Sequence, residues 1–132
     1  MSDEKKVNST HKNVSGFMNG SKYVIAYNEY IYNDCRDGIE LEKIVQSVLN
    51  PEKYASSGSW CGMSGFFVKD NISVDTYWND MMDYFWEINT DDEAVQKKVY
   101  EWACEVYDGY LRIFDKENFD QKMSELQDVS AL

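Results

Sequence analysis

The side chains able to run covalent or acid–base chemistry are few and scattered. The single histidine, His11, stands in a polar stretch, Met1 to Ser21, with no catalytic motif around it. Ser-His-Asp and Cys-His machinery needs an imidazole held against its nucleophile, so a lone histidine in a polar leader reads as a solvated side chain. Cys35, Cys61 and Cys104 are far apart and odd in number, which excludes a disulfide framework and a CxxC metal pair. The segment Asp34-Cys35-Arg36-Asp37-Gly38 puts Cys and Arg where a calcium loop needs oxygen ligands. Residues 58–65, GSWCGMSG, lack both the GK[ST] ending of a phosphate loop and the G-x-G-x-x-G spacing of a dinucleotide site. No metal and no cofactor are expected. Cys61 has no sequence neighbour of positive charge to lower its pKa, and it reads as part of a turn with Trp60 over it. Cys104 reads as a core residue of a helix.

Carboxylates are the abundant reactive group. The 132 residues carry 24 Asp and Glu against 13 Lys and Arg, a formal charge of −11 and a pI near 4.4. Residues 1–69 balance at eight acids and eight bases, so the entire −11 belongs to residues 70–132, which hold 16 acids and five bases. Paired carboxylates with aromatic neighbours can hydrolyse glycosides, and a small carboxylate-based hydrolase stands as one reading. The acids recur, however, at intervals that fall on the solvent side of helices, which favours a non-enzymatic role. A surface of this sign repels phosphate backbones and anionic lipid, so neither nucleic acid nor a membrane is an expected direct partner.

These residues need elements to position them. Residues 1–21 read as a flexible polar leader and 22–132 as one globular domain, a size that buries roughly two-thirds of its unfolded surface. Residues 22–32, KYVIAYNEYIY, alternate as a strand with Tyr23, Ile25 and Tyr27 on one face and Val24 and Ala26 on the other. Asp37-x-x-Glu40 has capping-box spacing ahead of a helix through Ile44, Val45, Val48 and Leu49, which Asn50-Pro51 ends. Residues 54–68 suggest a loop or hairpin running into a short strand at Phe66-Phe67-Val68. Val74, Tyr77, Trp78, Met81, Phe85 and Ile88 follow i, i+3, i+4 spacing and predict a helix over 74–88. Thr90-Asp91-Asp92-Glu93 starts a long helix with Val95, Val99, Trp102, Val106, Tyr110 and Ile113 inward, and Phe119, Met123 and Leu126 suggest a last one. The expected fold is therefore α+β and mainly helical, a small antiparallel sheet or hairpin packed against about four helices.

On that scaffold Asp80, Asp83 and Glu87 form one acidic stripe, and Glu101, Glu105 and Asp108 another, with Asp91 and Asp92 between them. Like charges one helical turn apart repel, so the stripes cost stability. Tyr84, Trp86 and Tyr107 lie off the apolar stripes and are expected beside the acids, as interface anchors. Asp80, Asp83, Tyr84, Trp86, Glu87, Asp91, Asp92, Glu101, Glu105, Tyr107 and Asp108 are thus the expected partner-binding set.

In composition the chain resembles the phage-encoded antirestriction and anti-CRISPR inhibitors, and the immunity proteins that neutralise nuclease toxins. The resemblance implies an inhibitor that occupies a basic protein's nucleic-acid groove, with carboxylates in place of phosphates and aromatic rings in place of bases. The partner is then a nuclease or another nucleic-acid-binding effector. The cysteine usage and the lack of an apolar leader or an apolar run of ~18 residues fit a cytoplasmic protein. Oligomeric state is left open.

Overall fold

The structure, a computed structural model, describes residues 11–31, 35–59, 62–79 and 82–114. Its frame is a six-stranded, fully antiparallel sheet with strand order β1-β2-β6-β5-β4-β3. The strands are β1 (Val14–Asn19), β2 (Lys22–Tyr27), β3 (Lys53–Ser59), β4 (Gly62–Lys69), β5 (Ile72–Asn79) and β6 (Met82–Ile88). Helix α1 (Cys35–Ile44), extended by a π-helical turn over Val45–Leu49, connects β2 to the far edge at β3, and α2 (Glu93–Ile113) follows β6. The meander β3 to β6 then returns across the sheet until β6 pairs with β2.

This corrects the mainly helical expectation. A broad sheet with two described helices replaces a small sheet under about four. The decisive segment is 74–88, where the helical spacing of Val74, Tyr77, Trp78 and Phe85 coexists with period-two alternation. Val74, Thr76 and Trp78 are buried on β5, and Tyr84, Trp86 and Ile88 on β6, each with partly exposed residues between them. β-branched and aromatic side chains fit a pleated, half-buried surface, and a hairpin lets both strands bury their inward rows. β1 begins inside the stretch read as leader, pairing Val14 with Tyr27 through Asn19 with Lys22. The proposed last helix, with Phe119, Met123 and Leu126, lies outside the described residues, as do Trp60 and Cys61.

Local chemistry accounts for the turns. Gly20 takes φ +65° at the first position of the two-residue β1–β2 loop, a conformation that costs glycine little. The β4–β5 loop is Asp70-Asn71, with φ of 52° and 65°, the pair of left-handed residues that defines a type I′ turn. Asn50 stops the π turn in the left-handed region at φ 49°, just before Pro51, as the Asn-Pro pair predicts.

Both described helices cover one face of the sheet. The core there joins Tyr23, Ile25 and Tyr27 of β2 and Phe67 of β4 to Leu41, Ile44 and Leu49 of the first helical segment and Val99, Trp102 and Val106 of α2. Gly38 marks the closest approach: a Cβ there would sit 2.4 Å from Cγ of Trp78, so α1 rests directly on that indole. Phe67 meets Trp86 edge to face at 5.1 Å and tilts against Trp102 at 6.2 Å, a geometry that adds to area burial.

Replacing Asn71 by Gly is expected to raise stability by about 0.5–1 kcal/mol, and Asn71→Val to lower it by about 1–2 kcal/mol, the cost of a left-handed β-branched residue. Urea unfolding of the two variants checks both signs.

Candidate functional site: two acidic surfaces and a buried tyrosine–carboxylate network

The expected partner-binding residues separate into three environments. Glu101, Glu105 and Asp108 are exposed along the outer side of α2, where helical geometry sets successive members ~5–6 Å apart along the axis. Nε2 of His11 lies 2.9 Å from Oδ1 of Asp108, and the His11 ring meets Tyr107 edge to face at 5.5 Å. His11 is therefore docked on α2 rather than simply solvated. Lys98 is drawn to Asp70 at 3.1 Å, which leaves the Glu101–Glu105 pair without a cation bridged to it among the described residues.

At the start of α2 the Thr90-x-x-Glu93 spacing of a capping box points to Thr90 as the cap. The structure places it on Asp92, whose side chain accepts from the Ala94 amide at 2.9 Å. Thr90 Oγ1 in turn accepts from the Asp92 amide at 3.1 Å. Asp91, Asp92 and Glu93 are exposed around the helix N-terminus, where the dipole favours negative charge.

The stripe expected from a 74–88 helix does not exist as a stripe. Asp80 lies outside the described residues; Asp83 falls in β6 with its side chain outside them; Glu87 points to the sheet face on which no described helix packs, 3.4 Å from Nζ of Lys22. That face looks away from α2, so Glu87 and the Glu101–Asp108 row belong to opposite sides of a two-layer domain.

Tyr84, Trp86 and Tyr107 are buried in the core, at 0%, 1% and 1% exposure. They are joined there by something the sequence pattern did not show. Glu42, on α1 and 3% exposed, receives hydrogen bonds on both oxygens: the Tyr54 hydroxyl donates to Oε1 and the Tyr84 hydroxyl to Oε2. The Trp86 indole N–H donates to the Tyr84 oxygen at 2.9 Å. Asp37, five residues earlier and 1% exposed, accepts from the Tyr110 hydroxyl, whose oxygen also accepts from the Ile31 amide at 2.8 Å. Asp37 thus faces inward to α2 and is not the helix cap its spacing suggested. Tyr30 completes the set by donating to the Tyr84 carbonyl at 3.2 Å and accepting from the Tyr84 amide at 2.9 Å. The contact falls beside the irregular β5–β6 register between Tyr77 and Asn79, where the ladder cannot serve residue 84 regularly.

The phenols respond to this setting. Burial first, then the Glu42 carboxylate, hold Tyr54 and Tyr84 well above the ordinary tyrosine range. Burial and the hydrogen bond to Asp37 do the same for Tyr110, and burial pushes Tyr107 up to about 12. Burial also pushes the Cys104 thiol up to about 11, which suits a packing residue and not a nucleophile. The two buried carboxylates sit on one helix with their acceptor sites taken by phenols, an arrangement that holds α1 to the sheet and to α2. Among the described residues no group of three or more His, Cys, Asp or Glu could hold a metal ion. No described helix is long and apolar enough to cross a membrane. Comparisons of the chain with protein families, curated proteins and solved structures find no match.

Tyr84→Phe removes a charge-assisted bond from Glu42 and the acceptor of the Trp86 N–H, and is expected to cost about 2–3 kcal/mol in urea unfolding. The raised tyrosine pKa values also set an alkaline limit. A group whose folded pKa exceeds its unfolded value contributes its full stability below the unfolded pKa and loses it as pH rises towards the folded one. Unfolding free energy should accordingly hold through pH 9 and fall from about pH 10 upward, read as a lower urea midpoint at pH 11 than at pH 9.

Proposed function

We propose that the protein is a non-enzymatic inhibitor that binds a basic protein, a nuclease or another nucleic-acid-handling effector, by presenting carboxylates where that partner holds phosphates. The observation that carries this reading is the charge distribution: the whole net −11 belongs to residues 70–132. Within that segment Asp91, Asp92, Glu101, Glu105 and Asp108 are all exposed. Such a field raises the on-rate of a cationic partner and rejects anionic ones. The aromatic residues once expected beside these acids are interior, so the α2 side offers charge and no rings.

The buried network supports a binding role over a hydrolytic one. Asp37 and Glu42 are the carboxylates most withdrawn from water, and both are engaged by phenol donors from neighbouring layers. An immunity protein facing a nuclease toxin and a phage inhibitor facing a defence nuclease use the same acidic complement to a basic groove. Genomic neighbours distinguish these two sources, and both place the protein in the cytoplasm with its target.

The test begins with affinity capture from lysate of the source and its host at low and high salt, followed by association kinetics on the purified basic partner. Glu101→Lys with Glu105→Lys is expected to slow association at least tenfold at low salt and to flatten its salt dependence, since surface charges are screened over ~10 Å at 0.1 M. Unchanged association in the double variant would refute the proposal.

A further inference from the structure

The face of the sheet opposite the helices carries a pattern that the charge of α2 does not explain. Among the described residues no element packs on it, since both helices lie on the other side. Strand register places side chains there in two cross-strand rows. One runs Phe17, Val24, Glu87, Asp75, Phe66. Beside it, Phe85 pairs with Tyr77, their rings stacked at 5.2 Å with 22° between planes. Phe66 is 37% exposed.

In the middle of these rings two acids are direct partners across β5 and β6, Asp75 opposite Glu87. Like charges directly opposite in an antiparallel pair destabilise the sheet. Lys22 answers Glu87 from the β2 side at 3.4 Å. The Asp75 side chain has no hydrogen bond or ion pair among the described residues, although it is only partly exposed, between Phe66 and Glu87. A half-buried, unpaired carboxylate beside a second carboxylate and flanked by exposed and stacked aromatic rings is complementary to one chemical group above others. A guanidinium accepts two carboxylates through its fork and lies flat on a ring.

We propose that this face, on which no described helix packs, is the contact surface for the partner and that it takes an arginine of a basic protein between Asp75 and Glu87, against Tyr77, Phe85 and Phe66. The proposal rests on the reading of the chain as a binder of a basic protein and assigns the contact to the sheet, leaving the α2 row to steer the approach. A second copy of the chain is a poor occupant, because it would set Asp75 and Glu87 against their own equivalents and add another −11.

The test titrates the full-length, nitrogen-15-labelled chain with a tri-arginine peptide, and in parallel with its tri-citrulline counterpart, which keeps the shape and removes the charge. Saturable amide shifts are expected at Phe66, Asp75, Tyr77, Phe85 and Glu87 with arginine, and at least tenfold weaker binding with citrulline. Asp75→Asn should weaken the arginine peptide at least fivefold, and Glu87→Gln to a similar extent. Glu40→Gln on α1, which removes the same charge elsewhere, should change it less than twofold. Shifts confined to α2 would overturn the assignment to the sheet while leaving the basic-partner reading standing. Equal binding of arginine and citrulline would overturn the charge complementarity itself. In the free chain, nuclear Overhauser contacts from residues 115–132 to the Tyr77 and Phe85 rings would overturn the proposal by giving the face to the chain's own segment. A dimer in sedimentation that Tyr77→Ala dissociates would overturn it in favour of a second copy.

Discussion

The carboxylate of Glu42 has to be satisfied without water, and the helical layer and the sheet meet where that is done. An ionised group in an apolar interior is costly unless paired and hydrogen-bonded. Here the donors are phenols brought from two separated strands, Tyr54 from the edge strand β3 and Tyr84 from the inner strand β6. They converge only if α1 crosses from β2 to β3 over the strands between, the path that the strand order imposes. Asp37 applies the same device within the helical layer, fixing α1 to Tyr110 of α2. The connection that carries the chain from one side of the sheet to the other is thereby also the element most constrained by buried polar chemistry. Hydrophobic contact alone is tolerant of sliding; a carboxylate with two directed donors is not.

The tyrosines extend that principle through the core. Tyr27 stacks on Tyr84 at 5.8 Å and tilts against Tyr107 at 5.0 Å, while its hydroxyl donates to the Ala103 carbonyl within α2 at 2.9 Å. Tyr100 donates to the Val14 carbonyl at 2.8 Å and accepts from the His11 amide at 2.9 Å, so α2 also holds the segment leading into β1. Tyr107 reaches the Glu29 carbonyl at 3.1 Å. Each ring supplies apolar area to the core and each hydroxyl ends on a backbone group or carboxylate at its margin. This explains how Tyr27, Tyr84, Tyr100, Tyr107 and Tyr110 are used structurally, and why Tyr84 and Tyr107 are unavailable as surface anchors.

Much of the architecture was legible where one periodicity prevails. The β2 alternation of Tyr23, Ile25 and Tyr27 against Val24 and Ala26 appears as expected, the Asn50-Pro51 stop falls where it should, and the inward row of α2 keeps Val99, Trp102, Val106 and Tyr110 but gains Tyr107 and loses Ile113, which is 55% exposed. The segment 74–88 was illegible because its aromatic and β-branched residues satisfy two periods at once, and only strand partners on both sides decide between them. Asp37 misled for a different reason: the spacing of a capping box is identical whether the carboxylate turns back to the backbone or inward to a tyrosine on a helix 73 residues away. Glu42 and Tyr54 gave no local signal, since their meaning exists only after long-range contact. The acidic surface was half legible, because charge count survives folding but the sorting of acids onto faces does not.

That sorting changes what the charge can do. Had residues 74–88 been helical, Asp80, Asp83 and Glu87 would have added to the α2 row and made one continuous acidic wall. Folding the described part of this segment as strands instead sends Glu87 to the far side of the sheet, where it meets Asp75 across β5 and β6. On the proposed reading, the domain separates the two tasks that a charged binder must perform. The α2 row is exposed, which suits attraction at a distance and contributes little once contact is dry. The sheet face is rigid in backbone, partly desolvated and lined with aromatics, where a charge pair gains strength from its surroundings and where affinity differences between related complexes express themselves as dissociation rates. A binder with both surfaces approaches its partner on one term and holds it on another, so changes on the two faces act on different rate constants.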